Sequence, residues 1–155
     1  MNGTPIDQKS DAKLLGTIIQ DNLKFTKNIA AIVRKLQPII QSFRRASKLL
    51  PEQTMRGLYF TYVYPHLIGA ISVWGTDNTR AGYIQPLVRT QKKIMRIIAN
   101  KKPCTHTGPL FRRLGILNIH NLYFRVCVEM QMHLCMKRAS STGQNTTIVK
   151  PAHSS

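Results

Sequence analysis

The chain has very little negative charge: only Asp7, Asp11, Asp21, Glu52, Asp77 and Glu129 are acidic in 155 residues. None falls between Asp77 and Glu129, a stretch that holds Arg80, Arg89, Lys92, Lys93, Arg96, Lys101, Lys102, Arg112, Arg113 and Arg125. Two-metal polynucleotide chemistry needs carboxylates converging on divalent ions, and this chain offers almost none. Asp7 and Asp11 form the one close pair, in a polar leader with nothing apolar to fix them. We therefore expect no catalytic residue and no metal site. Cysteine is equally sparse. Cys104, Cys127 and Cys135 are odd in number, which favours reduced thiols inside the cell over a disulfide framework. Cys104 with His106, and Cys127 with His133 and Cys135, lack the tight paired spacing of a zinc site, so the two later cysteines read as core residues. No Gly-rich phosphate loop precedes a helix, and no local sequence supports a Ser-His-Asp or Cys-His set.

A secretory leader is not expected at the polar N-terminus, and the protein reads as intracellular, nuclear or cytoplasmic. Gly57 to Thr76 carries no formal charge, but Pro65-His66, Thr61, Ser72 and three tyrosines dilute it. A membrane span is not expected there, and a membrane-associated basic protein is the weakest reading.

What is abundant is positive charge. Twenty-three Lys and Arg leave a net charge of +17, a self-repulsion that a polyanion such as nucleic acid would neutralise. A hydrophobic content of 43% is enough to build a core. Only Ala139 to Ser155, rich in Ser, Thr, Gly and Pro, reads as a disordered tail.

The pattern predicts a mainly α fold with a short strand or hairpin at the N-terminus. Leu14 to Ile19, interrupted by Gly16 and followed by Asp21-Asn22, reads as a strand or strand edge. Phe25, Ile29, Ile32, Val33, Leu36, Ile39, Ile40 and Phe43 recur at helical spacing, predicting one amphipathic helix over Lys27 to Lys48, kinked at Pro38. Lys27, Arg34, Gln41 and Arg45 fall opposite them, with Lys48 close by and no acid interleaved. Pro51 and Glu52 suit the start of a helix running to about Tyr64. Pro65 then starts a buried segment, His66 to Trp74, and Tyr59, Tyr62, Tyr64 and Trp74 read as core packing. A further helix spans Ala81 to Asn100, with Pro86 near its first turn and Arg89, Lys92, Lys93 and Arg96 on its polar side. Thr107 to Leu114 suits a short helix, and Asn118 or Asn121 caps a last one reaching Met136. Lys27, Arg34, Arg45, Lys48, Arg89, Lys92, Lys93 and Arg96 are the candidate nucleic-acid contacts. Phe111 beside Arg112-Arg113 is a weaker one.

Taken in order, several landmarks resemble a known family. Leu14-Leu15-Gly16, Ile18-Ile19, Asn22-Leu23-Lys24-Phe25, Leu50-Pro51, Tyr59, Tyr64-Pro65-His66-Leu67 and Val73-Trp74-Gly75 open the series. Gln91-Lys92-Lys93, Arg96-Ile97-Ile98, His106-Thr107, Pro109-Leu110-Phe111, Leu114, Ile116-Leu117 and Leu122 complete it. The series is similar to the region just after the palm in reverse transcriptases of jockey-like non-LTR retrotransposons. The resemblance implies a thumb and connection region, dividing the chain as 1–24 (the end of a palm-like hairpin), 25–138 (helical thumb) and 139–155 (tail). It places Leu15 and Gly16 at a primer-supporting turn and the basic helix along a template–primer backbone of RNA or RNA–DNA. The parent enzyme would be an RNA-directed DNA polymerase using Mg, with its paired aspartates in a palm this chain does not carry. The chain is then expected to be a fragment or decayed copy, inactive by itself, whose partners are nucleic acid and the missing upstream palm. The alternative is a structural or protein-interaction remnant with no nucleic-acid role.

Overall fold

A computed structural model describes residues 11–14, 17–20, 25–69, 71 and 82–142 of the chain. The expected hairpin is present. Strand β1 (Asp11–Leu14) pairs antiparallel with β2 (Thr17–Gln20), Leu14 lying opposite Thr17 and Asp11 opposite Gln20. Leu15 and Gly16, assigned to a primer-supporting turn, lie outside the described residues, as do Asp7, Trp74 and residues 143–155. The hairpin rests on the first helix, where the buried Asn28 accepts a 3.5 Å hydrogen bond at Oδ1 from the Ile18 amide.

Helix α1 (Thr26–Ala46) follows the predicted periodicity, with Ile29, Ile32, Leu36, Ile40 and Phe43 buried along one side. Pro38 lies inside it. The chain turns through Ser47 to Leu50 and restarts at Pro51, whose extended backbone caps α2 (Glu52–Leu58) with Glu52 in the first turn. A π-helical turn (Tyr59–Val63) and α3 (Tyr64–Ile68) continue the same rod.

This corrects the expected break at Pro65. A proline inside an α-helix lacks one donor and its ring collides with the carbonyl four residues back. Here the Tyr64 amide reaches back five residues to the Tyr59 carbonyl, and the wider turn admits Pro65 without ending the helix. Met55, Tyr59, Val63 and Leu67 consequently present one continuous buried edge.

A 3₁₀ turn (Gly82–Ile84) leads into α4 (Gln85–Ile98), with Pro86 in its first turn as expected. Helix α5 (Gly108–Leu114) and helix α6 (Ile119–Thr142) complete the chain. Asn118 caps α6, its Oδ1 accepting the Asn121 amide at 2.8 Å. Residues 139–142, assigned to the tail, belong to α6.

The core lies between α1, the α2–α3 rod and α4, with α1 lying along α4. One polar group is built into it. The buried Gln91 carboxamide donates from Nε2 to the Tyr59 hydroxyl at 3.0 Å and to the Leu117 carbonyl at 2.9 Å. Its Oε1 accepts the Ile119 amide at 3.1 Å. One side chain thus ties the rod, α4 and the start of α6 together. Arg56 ties α5 to the same rod, donating from Nε to the Leu114 carbonyl at 2.6 Å. Its guanidinium lies 5.1 Å from the Phe60 ring centroid.

Candidate nucleic-acid interface

On α1 the spacing of Lys27, Arg34 and Arg45 returns each to within about 20° of the others at about 100° per residue. All three are exposed, as are Gln41 and, just past the helix end, Lys48. The apolar set Ile29, Ile32, Leu36, Ile40 and Phe43 is buried on the other side. Among the described residues, the cationic flank of α1 is therefore exposed and lies outside the core. On α4, Arg89 and Lys92 are exposed and Lys93 and Arg96 half-buried, opposite Leu87, Ile94, Met95 and Ile98.

The two helices bring part of this charge together where they end. Asn100 adopts a left-handed backbone (φ 50) immediately after α4. The Asn100 amide bonds the Ile97 carbonyl at 3.1 Å and the Lys101 amide bonds the Arg96 carbonyl at 2.9 Å. This paired closure, a Schellman motif, stops the helix and turns Lys101 back across its end. Arg44, Arg45 and Lys48 from α1 and Arg96 and Lys101 from the α4 end then line one open cleft of about 430 Å³. Arg96 is fixed there by a 2.9 Å hydrogen bond from Nε to the Thr105 carbonyl.

Cations near helix C-termini also offset the helix dipole, by about 0.3–1 kcal/mol each. That effect accounts for one or two such residues per helix, not for five from two helices in one cleft. Glu52 pairs with Arg113 at 2.6 Å and Glu129 with Arg125 at 2.7 Å, both away from the cleft. Among the described residues, none of the five cleft cations has a carboxylate partner.

Of the eight nominated contacts, the cleft gathers Arg45, Lys48 and Arg96. Lys92 faces a separate hollow with His106, Asn118 and His120, and Lys27, Arg34, Arg89 and Lys93 line neither. The cleft adds Arg44 and Lys101, which periodicity did not select. Arg44 sits on the shoulder between the oily and cationic sides of α1, and Lys101 reaches the cleft only through the left-handed turn at Asn100. An Asn directly after a helix and before two lysines is the one sequence signal that points to that turn.

Other candidates fall away. Phe111 is half-buried against the core, and of the two exposed arginines beside it Arg113 is paired with Glu52. Tyr59 is fully buried as expected, but Tyr62 is 54% exposed, a correction that follows from the π turn rotating it out of the packed edge. The expectation of core cysteines is also corrected. Cys127 is half-buried and Cys135 exposed, because α6 leaves the core after its first two turns. Among the described residues no three His, Cys, Asp or Glu side chains are placed to hold a metal ion. No helix among them is long and apolar enough to cross a membrane.

Protein-family models, curated proteins and solved structures return no match to this chain.

Proposed function

We propose that this chain binds the phosphate backbone of RNA or of an RNA–DNA template–primer duplex through the outward cations of α1 and α4. The observation that carries this reading is the segregation on α1, where Lys27, Arg34 and Arg45 share an exposed side backed by a buried apolar one. Phosphate contacts supply affinity without sequence choice, which suits a surface with many cations and few exposed aromatic rings beside them. Together with the resemblance noted above, this describes a non-catalytic, thumb-like part of a retrotransposon RNA-directed DNA polymerase. The sequence holds no two adjacent aspartates for the chemistry itself, and magnesium would belong to the palm of the parent enzyme. The reading is tested by Arg34→Glu combined with Arg45→Glu, measured as affinity for an RNA–DNA hybrid of several sequences. A uniform loss supports it, and unchanged affinity discards it.

A second reading is favoured by a different observation. Phe124, Val128, Met130, Met132, Leu134 and Met136 of α6 are each 49–70% exposed. They spread around the helix rather than along one stripe, a pattern that belongs to a helix enclosed by other protein. On this reading the chain is an interaction module whose α6 packs against a partner such as the upstream palm. The two readings are compatible, since they use opposite ends of the molecule's chemistry.

A further inference from the structure

The cleft at the ends of α1 and α4 differs from the rest of the basic surface in kind. Elsewhere a hollow is lined by a single cation, Lys92 in one and Arg112 in another. Here Arg44, Arg45, Lys48, Arg96 and Lys101 surround a concavity, and one of them is held in place by the Thr105 carbonyl. The backbone carbonyls at the two helix ends are largely occupied. Ser47, Lys48, Leu49 and Leu50 amides close α1, and Ala99, Asn100 and Lys101 amides close α4. An incoming anion therefore meets side-chain donors, with few bare carbonyls to repel it.

The cleft is open to solvent, and its volume of about 430 Å³ is that of a small-ligand site. A volume of this size suits a few adjacent phosphate groups. Two arginines from neighbouring positions on α1 and a third, anchored arginine from α4 supply planar forks suited to phosphate oxygens, and the two lysines add point charges.

We propose that this cleft is a discrete oligophosphate site, which captures adjacent phosphates of a single nucleic-acid strand where it leaves the duplex held by α1 and α4. The proposal rests on the nucleic-acid reading above and adds to it a local, saturable site that a diffuse basic face would not have. Free polyphosphate offers the same chemistry, so the two sources are separated by experiment.

The test uses the full chain and inorganic tripolyphosphate, titrated calorimetrically at 150 mM salt, with melting curves to verify folding of each variant. We expect one tripolyphosphate per chain. Arg44→Gln with Lys101→Gln should weaken it at least tenfold. Lys35→Gln with Arg112→Gln, an equal charge loss at exposed positions outside the cleft, should weaken it no more than about twofold. Arg44→Lys with Lys101→Arg should restore binding to within about threefold. Equal weakening by the two neutralised pairs, or several ions bound per chain, overturns the site.

A second arm uses a 12-nucleotide single-stranded RNA, which the Arg44→Gln/Lys101→Gln variant should bind at least fivefold more weakly and which tripolyphosphate should displace. RNA affinity unchanged by that variant overturns the strand assignment, even with tripolyphosphate binding lost. Loss of tripolyphosphate binding in the cleft variant, with hybrid affinity untouched by Arg34→Glu with Arg89→Glu, two exposed positions outside the cleft, instead defeats the broader interface reading and leaves the oligophosphate pocket standing.

Discussion

Gln91 donates to the Tyr59 hydroxyl at 3.0 Å inside the core, joining the π turn of the central rod to α4. The same carboxamide bonds the Leu117 carbonyl and the Ile119 amide, so the position of α6 depends on a side chain of α4. α4 also carries Arg89, Lys92, Lys93 and Arg96, which makes this polar junction the support behind one half of the basic surface.

Gln91→Leu removes every partner at once and leaves the Ile119 amide and the Tyr59 hydroxyl buried and unpaired, and the Leu117 carbonyl unpaired and part-buried. Each unsatisfied group costs about 1–3 kcal/mol. We expect a loss of roughly 3 kcal/mol or more by urea denaturation. Tyr59→Phe, which leaves two of the three Gln91 bonds in place, should cost about 1 kcal/mol. Equal effects of the two substitutions would show that the junction does not act through Gln91.

Burial pushes the Tyr59 phenol up to about 12, against a partial opposing effect of the hydrogen bond donated by Gln91. The unfolded chain's tyrosine ionises near 10, whereas the folded one stays protonated until about 12. Its contribution is therefore complete below pH 10 and is lost as pH rises from 10 to 12, by on the order of 2 to 3 kcal/mol. Denaturant midpoints measured from pH 8 to 11.5 should fall in this window, and the Tyr59→Phe variant should show a smaller fall. An identical alkaline slope in both proteins would refute the assignment to Tyr59.

Val128→Lys with Met132→Lys breaks the apolar surface of α6 without touching the core, since both side chains are more than half exposed. On the interaction-module reading the variant stays folded but becomes more soluble and sediments as a smaller species. Lost folding, seen as a reduced helical signal at 222 nm, would place these residues in the chain's own core instead.

The first helix was legible from spacing alone, because an apolar residue every three or four positions between Phe25 and Phe43 leaves a single face to bury. Pro86 and Asn118 were legible for stereochemical reasons, one as a first-turn proline and the other as a cap. Pro65 misled, since its local rule predicts a break and the compensation is a π turn, set by how Tyr59 and Val63 pack against the core. α6 gave no directional signal, its apolar residues being distributed all round. The cleft was half legible. Arg45, Lys48 and Arg96 carry the right pattern, but the roles of Arg44 and Lys101 arise only when α1 lies along α4 and Asn100 reverses the chain.

A grip on phosphates shows itself in the salt dependence of binding to an RNA–DNA hybrid. Affinity should fall steeply between 50 and 200 mM salt, with a logarithmic slope of about 0.7–0.9 per phosphate contact. Arg34→Glu with Arg45→Glu should reduce that slope by about two contacts and weaken binding alike for every hybrid sequence. A shallow slope in the native chain, or a slope and affinity unmoved by the double reversal, would contradict the claim that the outward side of α1 grips a nucleic-acid backbone.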